Sequence, residues 1–549
     1  MMISSKYRGL ARLARGICRA WVFVLLQMAA PAVFAHAALI ETLPVDGAML
    51  GKAPTEVLLR FNEPVAPLVF KLLLPDGSTQ ALTHIAAEQN GLKASLPDLP
   101  APGTYLLSWR VVSADGHPVG GSITYSVGVR SDNGAAAVLS SSLSSSSSSP
   151  LPLLAAIWLI RFGLYMALFI GVGAALFRAF IAVETAPPAR WATAALLKGL
   201  VLAPLAVGMQ GLDALALPWD ALGSLQPWRA GLDTAYGTTA WLMLASLLAA
   251  CAANAADRRW LSRPAAIVST LLLGAALAAS GHAGSAPPQW LARPAVFIHG
   301  VAIAAWVGSL LPLLMLLRGE QGVGALSRFS RVIPWVLALL LISGATLALL
   351  QLDSFQSLWT TDYGRILSAK LSLLLLLLGV ATFNRYALTA RVQRGDARAR
   401  LWMRRLICAE LLLVAMILAL VATWRFTQPP RAMAAAASIA APVSVHLHAT
   451  QAMVDLTLTP QHDRRVRASL FVQGGDFNPL DAQEVSLQFS NPARGIEPLL
   501  KNAHRGTDGG TWLVEPFALP APGRWHVRID VLISDFVRVE LEKDIDVVF

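Results

Sequence analysis

The stretch Leu151-Pro-Leu-Leu-Ala-Ala-Ile-Trp-Leu-Ile-Arg-Phe-Gly-Leu-Tyr-Met-Ala-Leu-Phe-Ile170 carries a single charge, Arg161. Its length is what a helix rising ~1.5 Å per residue needs to cross a hydrocarbon core of about 30 Å. Seven further apolar segments follow, near 192–217, 235–256, 264–281, 293–317, 332–352, 365–388 and 403–426, so an eight-helix transmembrane bundle is predicted over 151–426. The loops after the first, third, fifth and seventh segments are arginine-rich, as with Arg258, Arg259 and Arg263, or Arg391, Arg394, Arg398 and Arg400. The other three hold about one basic residue each: Arg229, Arg293 and Arg365. Because Lys and Arg are retained on the cytoplasmic side, the basic loops face inward and both termini face outward.

Composition agrees. The chain is 55% hydrophobic and only 14% charged, which excludes an ordinary soluble enzyme and makes the lipid bilayer a partner. The net charge of +11 does not mark a nucleic-acid binder, because the basic residues sit in a leader and in short loops rather than on one stripe. There is no Walker motif, DKTG-like phosphorylation site or CxxC pair, which disfavours ATP-driven pumping, and nothing marks the chain as an enzyme.

Upstream, Lys6, Arg8, Arg12, Arg15 and Arg19 precede an apolar run from Ala20 to Ala32 and then Val33-Phe-Ala35. This reads as a signal peptide over 1–35. Cleavage after Ala35 leaves His36 first, where the α-amine and the imidazole of one residue can chelate one metal ion. The competing reading is a retained anchor helix with His36 an ordinary exposed residue. Residues 36–130 then read as an all-β barrel or sandwich, with strand-like runs such as Val57-Leu-Leu-Arg-Phe61 and turn chemistry at Pro75-Asp-Gly77. Residues 131–150 form a Ser/Ala-rich linker. Residues 442–549 turn polar again, and alternating runs such as Met453-Val-Asp-Leu-Thr-Leu458 and Trp525-His-Val-Arg-Ile-Asp-Val531 predict a C-terminal all-β sandwich. Cys18, Cys251 and Cys408 are the only cysteines, so neither outward β domain can use a disulfide. Cys251 and Cys408 read as small buried hydrophobes, and Met209 and Met315 as packing.

Ser113-Ala-Asp115-Gly-His117-Pro118 sets a carboxylate and an imidazole two residues apart in a turn. Alone, such a spacing is equally a turn capped by its aspartate. Joined to the amine and imidazole of His36 it gives three nitrogens and one oxygen, a donor set suited to tetragonal Cu(II). Within the bundle, His282 closes the fourth span and His299 lies about six residues into the fifth, both in the outer half, with Trp306 one heptad below His299. An imidazole in lipid needs a cavity or a partner, so these two are a possible copper relay, or a helix–helix hydrogen bond. Arg161, Lys370, Glu410 and Asp213 are expected to pair within the bundle. His446 and His448 share one strand face and are a weaker metal pair, while His84 reads as a surface residue.

Three blocks carry a resemblance: His36-Ala-Ala-Leu-Ile-Glu-Thr-Leu-Pro-Val-Asp-Gly47, Leu59-Arg-Phe-Asn-Glu-Pro-Val65, and Ser108-Trp-Arg-Val-Val-Ser-Ala-Asp-Gly-His-Pro-Val-Gly-Gly-Ser122. Together they resemble CopC, the periplasmic copper-binding β-barrel, over residues 36–129. The resemblance implies that His36, Asp115 and His117 hold Cu(II), with Glu63 in the second shell. The methionine-rich stretch of members with a Cu(I) site is missing; Met49 is the one methionine of the mature domain. His299-Gly-Val-Ala-Ile-Ala-Ala-Trp-Val-Gly308, Arg328-Phe-Ser330, Ser343-Gly344, Asp362 to Lys370 and Asn384-Arg385 are similar to the CopD membrane family over most of 151–426. The ending Pro522-Gly-Arg-Trp-His-Val-Arg-Ile-Asp530 is similar to YtkA-like β domains. These resemblances imply a protein that binds Cu(II) in the periplasm and passes copper through or into the membrane domain, in import or resistance, with periplasmic copper proteins as partners. A tethered periplasmic copper buffer or chaperone without transport, or a haem/copper membrane redox protein, remains compatible with the same residues.

Overall fold

A computed structural model describes residues 39–44, 46–61, 63–88, 90–98, 102–113, 118–129, 151–182, 190–319, 322–427, 429–431, 443–460, 465–474, 480–491, 496–506, 511–520 and 523–547. The predicted signal peptide over 1–35 and linker over 131–150, together with His36, Asp115 and His117, lie outside the described residues.

The N-terminal domain is a β-sandwich. One sheet joins Leu39–Leu43, Glu56–Phe61, Gly91–Ser95 and Ile85–Glu88. The other runs from Ala48–Leu50 through Pro118–Val127, Gly103–Ser113 and Val65–Leu73 to Thr79–Ala81. Alternation along each strand turns Phe61, Trp109, Tyr105 and Tyr125 into one core, with Phe61 edge-on to Trp109 at 5.2 Å between centroids. Gly121 faces the Trp109 indole so closely that a Cβ would fall 2.5 Å from the ring, so no larger residue fits beside it. Asp46 explains the Val-Asp-Gly element: its Oδ1 accepts from the Thr124 amide at 2.7 Å, and Gly47 takes a φ of +79° that L side chains avoid.

Eight long apolar helices follow: α1 Leu151–Phe180, α2 Arg190–Leu215, α3 Ala235–Ala255, α4 Arg259–Ala279, α5 Gln289–Leu316, α6 Gly322–Gln351, α7 Asp362–Phe383 and α8 Ala397–Thr423. The count is the predicted one, but several helices start earlier than their apolar stretch. Thus α6 opens at Gly322 rather than 332 and α8 at Ala397 rather than 403. Arginines such as Arg328 and Arg398 therefore sit on helix, where a long aliphatic stem can stay apolar while the guanidinium reaches water. Asp396 starts α8, accepting from the Arg398 and Ala399 amides at 2.8 and 3.0 Å. Exposed Trp219, Trp290 and Trp359 near one set of helix ends, and Trp260 and Tyr386 near the other, form the two aromatic belts of a bilayer protein.

With apolar lipid outside and apolar helices inside, the bundle holds by close approach and polar contacts. Gly173 of α1 and Gly308 of α5 meet backbone to backbone, and a Cβ on Gly308 would lie 2.3 Å from the Gly173 Cα. Ser246 of α3 and Ser269 of α4 donate to one another's carbonyls at 2.8 and 2.9 Å. Met209 packs in an apolar cluster with Leu153, Ile157 and Leu212, as expected. Cys408 corrects its expectation: it is exposed on the outer surface of the bundle, because the buried face of α8 is set by Met403, Ile407 and Glu410.

The C-terminal domain is one antiparallel sheet of eight strands. It curls until its first strand, Val443–His448, approaches its last, Val537–Val547, where Lys543 Nζ donates to the His446 carbonyl at 3.1 Å. It is thus nearly a closed barrel, around Trp525, Phe489, Leu487 and Val527. It also touches the N-terminal domain. Glu41, buried in strand Leu39–Leu43, binds Arg60 at 3.1 Å and Arg467 of the C-terminal domain at 2.5 Å.

Candidate metal centres

Strand register fixes where the segments flanking the predicted Cu(II) ligands come together. Leu39, three residues after His36, pairs directly with Phe61. Val65 pairs with Ser113, and Val112 with Pro118 across the next strand. Between Phe61 and Val65 lies Glu63, half-buried and engaged with neighbouring groups. Hence Leu39, Phe61, Glu63, Val65, Ser113 and Pro118, the described flanks of all three ligand positions, share one end of the sandwich.

In the bundle, His282 does not end the fourth span. That helix stops at Ala279, Gly281 takes a φ of +94°, and His282 opens a separate short turn, His282–Ser285. The side chain of Gln351 at the end of α6 donates to the His282 carbonyl at 2.9 Å. Helix α5 runs upward past Arg293 to Gln289, and His299 is partly buried against α6. Its Nδ1 lies 3.1 Å from the Ser343 hydroxyl, and Gly344 leaves room for the ring: a Cβ there would come within 3.1 Å of Cε1. Ser343-Gly344 therefore forms the seat of the His299 imidazole. Lys370 is near enough to act electrostatically on that ring, and its ammonium lies over Trp424 at 4.8 Å. Trp306 is buried below, on the same helix.

Of the four charged residues expected to pair, Asp213 meets an opposite charge, whereas Glu410, Arg161 and Lys370 meet uncharged partners. Asp213 binds Arg425, Glu410 accepts from Asn384 at 2.8 Å, and Arg161 lies over the Tyr236 ring at 5.6 Å. Arg425 went unmarked because nothing in local sequence separates it from an interfacial residue, and Asn384 entered only through the Asn384-Arg385 resemblance.

In the C-terminal domain His446 and His448 do share an exposed face. The His446 Nδ1 is already taken, 2.7 Å from the Asp455 carboxylate directly across the hairpin. His526 is similarly held by Asp544 at 2.8 Å, and that hydrogen bond is the main cause of the lowered pKa of Asp544. His84 is on the surface, as expected. Among the described residues no three or more His, Cys, Asp or Glu side chains are grouped to hold a metal ion.

Fold and charge pattern together define a multi-pass membrane protein with one β domain before its bundle in the sequence and another after it. Residues 39–128 match the CopC domain, 151–287 the N-terminal domain of copper resistance protein D-like proteins, and 323–424 copper resistance protein D. Copper resistance protein C of Xanthomonas campestris pv. juglandis is 36% identical over 124 residues, covering 96% of that protein and 21% of this chain. Inner membrane protein YebZ of Escherichia coli (strain K12) is 36% identical over 135 residues, 23% of this chain and under half, 46%, of YebZ. Copper transport protein CutJ of Bacillus subtilis (strain 168) is 26% identical over 562 residues, 95% of this chain and 98% of that protein. The chain belongs to the copper resistance family, as a CopC-like periplasmic domain fused to a CopD-like membrane domain. It is a multi-pass inner-membrane protein with periplasmic β domains, from a family that handles copper. The three family models do not extend to residues 443–547.

Proposed function

We propose that the chain captures Cu(II) in the periplasm and passes copper into its membrane bundle. Capture uses the amine and imidazole of His36 with Asp115 and His117, and Glu63 adds negative charge from the second shell. A signal peptide over 1–35 is removed to free the amine, and 131–150 is the tether. The observation that carries this reading is the register bringing Leu39, Glu63, Ser113 and Pro118 to one end of the sandwich. Four donors from distant sequence then need only short reaches to meet.

His282 and His299 are the entry relay. Imidazole serves copper in either oxidation state, and His299 rests on a serine and a glycine rather than in a complete ligand shell. The nearby Lys370 charge disfavours a resident cation, which suits transit, since conduction needs sites weak enough to leave. His446 and His448 are assigned a lesser role, because Asp455 competes for His446. The C-terminal domain is read as a YtkA-like accessory to the copper domain. Copper uptake into oriented proteoliposomes tests the proposal. Replacing His282 or His299 by Ala should abolish flux while the periplasmic domain still binds Cu(II). Full flux in the double variant would reduce the protein to a tethered copper buffer.

A further inference from the structure

A cavity of about 80 Å³ lies between α5, α6, α7 and α8. Its wall includes Ser330 and Arg385, which by the charge rule belong to the cytoplasmic ends of their helices. At ~10–15 Å³ for each water, it has room for several. Trp306 lines it, one heptad from His299 on the same helix.

Two polar side chains on that wall are nine-tenths buried or more: Glu410 at 3% exposure and Asn384 at 8%. Asn384 Nδ2 donates to Glu410 Oε1, which leaves its Oδ1 buried as an acceptor without a partner among the described residues. A buried amide oxygen left this way is costly unless something donates to it. Asn384 also opens a π-helical turn, Asn384–Leu388, with Thr389 Oγ1 donating back to its carbonyl at 3.1 Å. Such wide turns gather at functional sites.

Several charged groups on the surrounding elements are directed elsewhere. Arg161 lies over Tyr236, Lys370 over Trp424 and Arg405 over Trp402, while Arg328 donates to the Ile181 carbonyl. Arg385, the one other charged residue on the cavity wall, donates to the carbonyl and hydroxyl of Ser330. Glu410 therefore has an amide and a wettable cavity before it, and no ion pair among the described residues. Its partners are all oxygen and nitrogen groups. Met403, the one thioether on the wall, is seven residues away on α8, ~10 Å along the axis.

We propose that Glu410, held by Asn384, is a proton-exchange site on the cytoplasmic side of the bundle, and that its proton moves against or with copper during transport. The carboxylic acid gives its proton to cavity water and becomes a carboxylate; the reverse step restores it. The coupling part rests on the copper transport proposed above, whereas the exchange site stands by itself. Infrared difference spectra of the full chain in liposomes test the site without copper. A carboxylic-acid band should be lost and regained as pH is cycled, be missing from Glu410→Gln, and return shifted in Glu410→Asp. The aspartate variant also guards against a glutamine variant that fails to fold. A Glu410→Gln spectrum identical to the native one would overturn the site. Coupling is read as copper uptake under an imposed pH gradient, which should alter the native rate and leave Glu410→Gln indifferent. Native uptake indifferent to the gradient overturns coupling, and no uptake in any protein overturns the transport reading while the infrared result still decides the site.

Discussion

Replacing Asp213 by Asn should destabilise the bundle more than any substitution on its lipid face. Asp213, on α2, meets Arg425 in the turn Trp424–Phe426 after α8, and their side chains are only 9% and 2% exposed. Breaking a buried ion pair by removing one partner costs about 3–5 kcal/mol, whereas replacing both by apolar groups of similar volume is often neutral. At ~2–4 °C per kcal/mol for a domain of a few hundred residues, Asp213→Asn should melt on the order of 10 °C below the native protein. Asp213→Leu/Arg425→Leu should recover most of that loss, a coupling that surface pairs do not show. Thermal unfolding of the purified full chain in detergent, followed by tryptophan fluorescence, measures both. A single variant melting within about 2 °C of native, or a double variant no better than its singles, would refute the view that this pair ties α2 to the end of α8.

One residue added before His36 should cut Cu(II) affinity sharply, and N-terminal sequencing of the mature protein should begin at His36. Affinity should fall as pH drops, because an α-amine with an ordinary pKa of about 7.7–8.0 takes up protons below that range and must lose one to bind metal. Asp115→Ala and His117→Ala should each weaken Cu(II) binding tenfold or more, about 1.4 kcal/mol, without lowering the melting temperature of the metal-free protein. A collapse of metal-free stability would make them turn formers instead. Gly308→Ala should force α1 and α5 apart at Gly173, costing about 1–3 kcal/mol in detergent melting, and Gly379→Ala, whose Cβ meets nothing within 4 Å, is the matched control.

Hydropathy and charge in the sequence determined how many helices cross, which side the loops take, and that β domains flank the bundle in the chain. Transfer of a side chain to lipid depends on that residue and a short window around it, so local sequence suffices. The metal candidates His36, Asp115 and His117 were legible for a similar reason, since short spacing and residue type define a donor set before any fold does. Which residues meet was decided only by tertiary structure. Lipid and protein interior are both apolar, so an apolar helix carries little sign of which face turns to either; Cys408 turned outward and Glu410 inward on one helix. Asp213 found Arg425 across 212 residues, and His299 found Ser343 across 44. Those meetings depend on the rotation and depth of each helix against its neighbours. Small residues such as Gly173 and Gly308 set that by allowing one close approach and no other.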